Sequence, residues 1–202
     1  MAKPEQLKNL WLSGKQQIMI QLETERLILK TPDMEFAPLV FDYFMRNRQH
    51  FAPWGPAPQP EWDTLKYHEQ KIAAYGGATQ NGTGLWLLVL AKHDTHRVIG
   101  DVHLSNIVRG IFQSCHLGYK LDEHEQGKGY MREALQAVID YAFNQMKLHR
   151  IEANIMPANT RSIQLVTTLG FKQEGLAQKY LKINGIWQDH LHYTLLNSND
   201  DV

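Results

Sequence analysis

The chain has 202 residues, enough for one domain with a sizeable core on the usual scale of ~100–200 residues per domain. Its 21 Lys and Arg balance 21 Asp and Glu, so no strong field draws it to nucleic acid or to an anionic membrane, although a basic protein terminus could be met locally. The single cysteine, Cys115, excludes an internal disulfide and fits a reducing cytoplasm, while the lack of long apolar runs, of a signal core in residues 1–20 and of CxxC or His-Glu-x-x-His pairs argues against a membrane span, a leader and a metal site.

Residues 1–20 read as an N-terminal extension, with a short helix from Pro4 to Leu12 that places Leu7, Leu10 and Trp11 on one face. A first strand is expected over Leu22–Lys30. Thr31-Pro32-Asp33 then starts a helix whose stripe is Phe36, Leu39, Val40 and Tyr43. Phe51 to Pro56 breaks that helix and opens a Pro-rich loop to Pro60; a second helix is expected from Trp62 to Tyr75, ended by Gly76-Gly77. Strands follow at Leu85–Leu90, Val98–Ile107 and Gln113–Leu121. After them come a helix from Tyr130 to about Gln145, a strand over Arg150–Met156, a helix over Thr160–Leu169, and strands at Phe171–Ile183 and Trp187–Leu195 joined by the hairpin signal Asn184-Gly185. The pattern is α/β (α+β) in one domain over 21–197 with a tail at 198–202: a mixed, mostly antiparallel sheet of about six to seven strands flanked by helices.

The most informative stretch is Glu125-Gln126-Gly127-Lys128-Gly129-Tyr130-Met131, where a strand, a turn with two glycines and a helix start succeed one another. Glycines let backbone N–H groups turn inward, and a helix start adds unpaired donors and the positive end of the dipole. The natural guest is a phosphate or pyrophosphate. The turn is not a P-loop, because no Gly-Lys-Ser/Thr closes it, and it lacks the three glycines of the dinucleotide fingerprint.

Gln126 to Tyr130 resembles the pyrophosphate loop of the GCN5-related N-acetyltransferases (GNAT), written Gln/Arg-x-x-Gly-x-Gly/Ala, except that Met131 fills the last position and its side chain would lie in the path of the sixth amide. Asn159-Thr160-Arg161-Ser162 followed by Leu169-Gly170-Phe171 is similar to the family's second cofactor motif, and Asn159 and Gly170 suit helix caps in their own right. Thr24-Glu25-Arg26-Leu27-Ile28-Leu29 resembles the first strand of the RimJ/RimL branch, which acetylates the N-terminal residues of ribosomal proteins. Asn106 to Gly110, Leu148 to Ile151, Ala153-Asn154, Met156-Pro157 and Trp187-x-Asp189-His190 are similar to RimJ-type enzymes, which act on the N-terminal alanine of small-subunit protein S5. The likeness covers residues 22 to 196. It implies acetyl-CoA as co-substrate, no metal, a splayed parallel pair of strands that holds the pantetheine arm, and a ribosomal-protein N-terminus as partner, met free or on the pre-ribosomal small subunit by a monomer or homodimer.

The implied reaction is acyl transfer to a neutral amine. Deprotonating a lysine near pKa 10.4 at neutral pH costs roughly 4 kcal/mol, against roughly 0.4–0.8 kcal/mol for an α-amine near 7.7–8.0, which favours an N-terminal acceptor. Glu152 and Asn154 alternate along one strand and should share a face, where they could hold a water that takes the amine proton. Ser162 matches the position used in RimL-type enzymes as acid toward the thiolate; it would serve equally as support for the helix start. Backbone groups of Leu117, Gly118 and Tyr119 are candidates for pantetheine contacts, the amides of Gln126, Gly127, Lys128, Gly129, Tyr130 and Met131 for pyrophosphate, Lys128 for an outer phosphate, and Asn159 and Ser162 for cofactor contacts as well. Trp54, His103, Trp187, Asp189 and His190 could shape the acceptor cleft. Two other readings stay open: a small-molecule acetyltransferase for polyamines or aminated antibiotics, and a non-enzymatic acetyl-CoA-binding ribosome-assembly factor.

Overall fold

A run of apolar residues from Leu85 to Ala91, buried at every position, marks the strand at the centre of the molecule. A strand with no solvent face must be covered on both sides. The computed structural model describes residues 18–198, so the helix expected over 4–12 and the end of the tail lie outside the described residues. The strands are β1 (Gln21–Glu23), β2 (Leu27–Lys30), β3 (Leu85–Ala91), β4 (Asp94–Val108), β5 (Ser114–Leu121), β6 (Arg150–Ile155), β7 (Lys172–Ile183) and β8 (Ile186–Leu196). They form one sheet in the order β1-β2-β3-β4-β5-β6-β8-β7, antiparallel throughout except where β5 meets β6. The helices are α1 (Ala37–Arg46), α2 (Arg48–Phe51), α3 (Leu65–Gln80), α4 (Tyr130–Asn144) and α5 (Thr160–Thr168).

The expected single strand over Leu22–Lys30 is a hairpin, β1 paired antiparallel to β2, which brings the strand count among the described residues to eight. The Thr24 hydroxyl accepts the Leu27 amide at 3.0 Å, and the Thr24 amide donates to the Leu27 carbonyl at 3.0 Å, closing a turn where the apolar pattern suggested continuity. Gly76-Gly77 does not end the second helix either. Thr64 caps α3 by accepting the Tyr67 amide, and the helix runs on to Gln80, stopping before Gly82 at φ +68°. The predicted Asn184-Gly185 hairpin is present, with φ +44° and +81°, as a two-residue turn of primed type needs.

Period-two alternation sorts the sheet into two faces. Leu87, Val102, Leu104, Cys115, Leu117, Ile151 and Ala153 pack with Met131, Leu135 and Val138 of α4 in the main core. On the opposite face Trp86, Leu88 and Leu90 pack with Val40 and Tyr43 of α1 and Ile72 of α3. Among the described residues, no helix is long and apolar enough to cross a membrane.

The parallel ladder between β5 and β6 is short: Ser114 pairs with Arg150, Cys115 with Ile151 and His116 with Glu152. Beyond those pairs β5 stays with β4 as far as Leu121, and β6 stays with β8 as far as Ile155. The two strands therefore diverge into a wedge, as expected from the sequence, with unpaired main-chain groups of β5 from Leu117 onward along one side.

Candidate active site

The anion loop lies at the mouth of the wedge. Gly127 and Gly129 stand at φ +76° and +80°, where an L side chain is strained, and Gly129 takes the cap position of α4 with no side chain closing it. Among the described residues, no protein acceptor engages the amides of Gly127 through Arg132. A run of unpaired donors at a helix start is suited to an anion. Met131 does not obstruct it: its side chain is buried in the main core, where its Cε would lie 3.3 Å from a Cβ added at Gly100. Gly100 gives Met131 room, and the sixth amide is left facing outward from a side chain that points in.

The loop is braced from below and behind. Glu133, in the first turn of α4, accepts from the Thr24 hydroxyl at 2.5 Å, the Arg26 amide at 2.9 Å and Arg26 Nε at 2.6 Å. Arg26 also donates to the Lys128 carbonyl at 3.0 Å and lies 4.7 Å over the Tyr130 ring. Asp122, fully buried, accepts from Arg46 Nε at 2.7 Å and Arg97 Nη2 at 3.0 Å, and caps the turn before the loop through the His124 amide. Burial alone would push the Asp122 carboxyl up, but the Arg46 guanidinium and the His124 amide hold it below the usual carboxylate range. The Lys128 ammonium goes to Glu125 at 2.8 Å, so a phosphate contact there would compete with that pair.

The two motifs read separately from the sequence are joined. Arg161 donates to the Gln126 side-chain oxygen, and the Gln126 nitrogen lies 2.8 Å from His50 Nε2. Asn159 caps α5 by accepting the Ser162 amide at 3.2 Å. The Ser162 hydroxyl lies 2.5 Å from the Tyr119 hydroxyl. Burial pushes the Tyr119 phenol up to about 12, drawn back somewhat by that hydrogen bond. Leu117 belongs to the core, and Gly118 between them is exposed.

The family model for the acetyltransferase (GNAT) domain matches residues 26–172. The chain belongs to the GNAT family of N-acetyltransferases. It is 37% identical to the ribosomal protein uS5-alanine N-acetyltransferase of Escherichia coli (strain K12) over 183 residues, 85% of this chain and 88% of that one. It is also 37% identical to the probable N-acetyltransferase YjcK of Bacillus subtilis (strain 168) over 155 residues, 77% of this chain and 85% of that one. The crystal structure of the ribosomal-protein-S5-alanine acetyltransferase of Vibrio fischeri superposes with a TM-score of 0.84 at 37% identity, covering 89% of this chain and 98% of that one.

Within this GNAT domain the remaining predicted site residues are spread over β6, the β7–β8 hairpin and the Pro-rich loop. Glu152 and Asn154 share a half-buried face of β6 while Ile151, Ala153 and Ile155 are buried behind them. Glu152 sits at the closed end of the wedge, opposite His116, and accepts from Arg150 Nε at 2.7 Å. Asn154 lies in the splayed part, and its buried Oδ1 has no hydrogen-bond partner among the described residues. Asp189 is occupied by the Lys179 amide at 2.7 Å, where it steadies a bulge in β7, and His190 is buried with Nδ1 3.0 Å from the Gln188 carbonyl. Trp54 and Trp187 are exposed, on two segments held together where the Asn184 amide donates to the Gly55 carbonyl at 2.8 Å.

His103, a predicted cleft residue, belongs to a polar cluster on β4 whose other member there, Asp101, the sequence reading does not single out. Asp101, completely buried, accepts from the Tyr43 hydroxyl at 2.9 Å, Trp86 Nε1 at 3.1 Å and His103 Nε2. The His103 ring is stacked on Trp86, with centroids 5.4 Å apart, and meets the edge of Tyr75 at 5.0 Å. Lys71 of α3 lies 4.7 Å over the same Trp86 ring, its ammonium brought down to about 8 by burial, against the pull of Asp101. Asp101 and His103 are two apart on a strand, the spacing of a shared face, which is the one local signal that could have tied Asp101 to the predicted His103.

Proposed function

We propose that this chain is an acetyl-CoA-dependent Nα-acetyltransferase of RimJ type, acting in the cytoplasm on the N-terminal alanine of a ribosomal protein, with small-subunit S5 the first choice of acceptor. One observation carries the reading: the likeness to the uS5-alanine enzyme of E. coli extends over 183 residues, well beyond the cofactor loop that any GNAT protein would share.

The loop amides fit the coenzyme's pyrophosphate, since they are donors without protein acceptors at a helix start. The unpaired β5 edge from Leu117 to Tyr119 suits the amides of a pantetheine arm, which would add to it as a strand does. Tyr119 and Ser162 form the hydroxyl pair that would protonate the departing thiolate. Asn154, with Glu152 behind it, offers an unmatched acceptor for the acceptor amine or a bridging water. Trp54, Trp187 and Asp189 would bound the peptide side of the cleft. Cys115 plays no covalent part: it is buried, and burial pushes its thiol up to about 12, so a nucleophilic thiolate is scarce at neutral pH. Transfer is then direct, from the thioester to the amine.

Incubation of the purified chain with labelled acetyl-CoA, S5-derived peptides beginning with alanine, and a polyamine panel tests this reading. Mass spectrometry should find one acetyl group on the α-amine of the alanine peptides. Turnover confined to polyamines would replace the substrate class, and calorimetry without acetyl-CoA uptake would end the enzymatic reading.

A further inference from the structure

We propose that His103, aligned by Asp101, is the base that receives the acceptor amine's proton. This inference rests on the acetyltransferase reading above and names a residue for its proton-transfer step.

The hydrogen-bond network sets the tautomer. Ionised Asp101 can only accept, so His103 Nε2 must carry the proton that faces it. Nδ1 of the neutral ring is then a lone-pair acceptor. It is buried and has no hydrogen-bond partner among the described residues. A buried acceptor left unmatched is costly in a resting fold and is expected where a ligand supplies the missing donor.

The sheet register identifies the ring's neighbours across the ladder. Trp86, His103 and Gly118 are direct cross-strand neighbours on β3, β4 and β5. On one side the ring leans on the Trp86 indole. On the other side the neighbour is a glycine, and a Cβ built on Gly118 meets nothing within 4 Å. That open space lies two residues past the last β5–β6 pair, at the start of the wedge. An amine approaching a thioester laid along β5 would pass over Gly118, the residue directly across the ladder from His103.

The charged and titratable groups around the ring come from three elements: Asp101 on β4, Lys71 and Tyr75 on α3, and Lys120 on β5. Burial lowers the His103 pKa, Asp101 pulls it back up, and Lys71 and Lys120 oppose the imidazolium. The ring is therefore neutral, and able to accept, at neutral pH. In the step itself the amine nitrogen bonds to the thioester carbonyl carbon and its surplus proton passes to Nδ1. The carbon–sulfur bond breaks, and the thiolate takes a proton from the Tyr119–Ser162 pair. Solvent then exchanges with both groups and restores the starting protonation.

The test compares wild type with His103→Gln, Asp101→Asn and Gly118→Val, using acetyl-CoA and the best acceptor found among alanine peptides and polyamines. His103→Gln should lower kcat about 100-fold, within the range of general-base effects, with acetyl-CoA affinity by calorimetry unchanged. The acidic limb of the wild-type rate profile that belongs to the imidazole should vanish, leaving the acceptor amine's own titration. Asp101→Asn should keep a smaller share of the loss and move that limb, which a purely structural role would not do. Gly118→Val, whose Cβ meets nothing within 4 Å at an exposed position, should fold normally and lower kcat by filling the approach. Turnover and a pH profile like wild type in His103→Gln would overturn the dyad while the acetyltransferase reading stands. Wild-type enzyme that acetylates no acceptor would overturn both.

Discussion

The Tyr119 hydroxyl on β5 lies 2.5 Å from Oγ of Ser162 in the first turn of α5, so the strand that borders the wedge and the helix that follows its other strand meet through two hydroxyls. Either can pass a proton to the other. The phenol, pushed up to about 12, remains protonated throughout the working range. Ser162→Ala should lower kcat by about tenfold to 100-fold, less than the roughly 100-fold to 10,000-fold of a complete general acid, since Tyr119 is left in place. Tyr119→Phe combined with Ser162→Ala should cost more than either alone. The helix cap survives the change, because Asn159 holds the Ser162 amide rather than its hydroxyl. Steady-state kinetics at several pH values would decide, and full turnover in Ser162→Ala would remove the pair from proton transfer.

The loop glycines separate affinity from stability. Gly129 has φ +80°, and an added Cβ would lie 3.4 Å from Arg26 Nη2. Alanine there carries about 1–2 kcal/mol of left-handed strain, and relief of that strain would turn the amides away from the pyrophosphate. Acetyl-CoA should bind about tenfold more weakly to Gly129→Ala, the factor that corresponds to about 1.4 kcal/mol. Met131→Ala is the counterpart. Its side chain is 5% exposed, so it should lower stability by about 2–5 kcal/mol, as other core truncations do, and leave affinity unchanged. Calorimetry and urea melts on the two variants would show whether loss of binding tracks the loop or the core.

Acid should undo the brace beneath that loop. Asp122, Glu125 and Glu133 are each subject to burial that would raise them, yet their guanidinium, ammonium, hydroxyl and amide partners hold all three below ordinary carboxylate values. A depressed carboxyl binds fewer protons in the folded state than in the unfolded one. Its stabilisation is complete above the unfolded values of about 3.9 for Asp and about 4.3 for Glu, and is lost as pH falls through the lower folded values. Asp122→Asn should cost about 2–3 kcal/mol near neutrality. That is less than the ~3–5 kcal/mol of a fully enclosed pair, because Arg46 and Arg97 keep 23% and 35% of their side-chain surface in solvent. Denaturant melts between about pH 3 and 7 should give a shallower acid slope for the variant. An unchanged slope would move the acid sensitivity elsewhere.

What was legible in the sequence was what depends on near neighbours. Gly127, Gly129 and the Asn184-Gly185 turn declare positive φ directly, and Asn159 declares a cap. The turn at Thr24 to Arg26 was read as strand because its purpose is distant: its groups serve Glu133, more than 100 residues on. Gly76-Gly77 was read as a break, since each glycine disfavours helix by about 1 kcal/mol, but Ile72 and Tyr75 bind α3 to the sheet strongly enough to carry it through. Arg161 on Gln126, Tyr119 on Ser162 and His103 opposite Gly118 all require the strand register, and no local pattern encodes it.

The proposed acceptor side has a tether of its own. The tip of the β7–β8 hairpin is tied to the Pro-rich loop by the Asn184 amide and the Gly55 carbonyl, and each tied segment presents an exposed indole, Trp187 at 58% and Trp54 at 39%. Large aromatics left in solvent on adjoining segments are unusual unless something covers them, and an extended peptide terminus is the partner that the proposed reaction supplies. Trp187→Ala should therefore raise KM for an alanine-initiated peptide about tenfold while KM for acetyl-CoA stays put, because the indole takes part in none of the hydrogen bonds that brace the loop. Trp54→Ala should act in the same direction with some loss of stability, since it is the more covered of the two. If the tethered segments hold peptide rather than the amine itself, the penalty should fall away for a dipeptide acceptor too short to reach the indoles. A loss of acetyl-CoA affinity in Trp187→Ala, or an equal KM increase for long and short acceptors, would assign the hairpin tip to the fold instead of to the substrate.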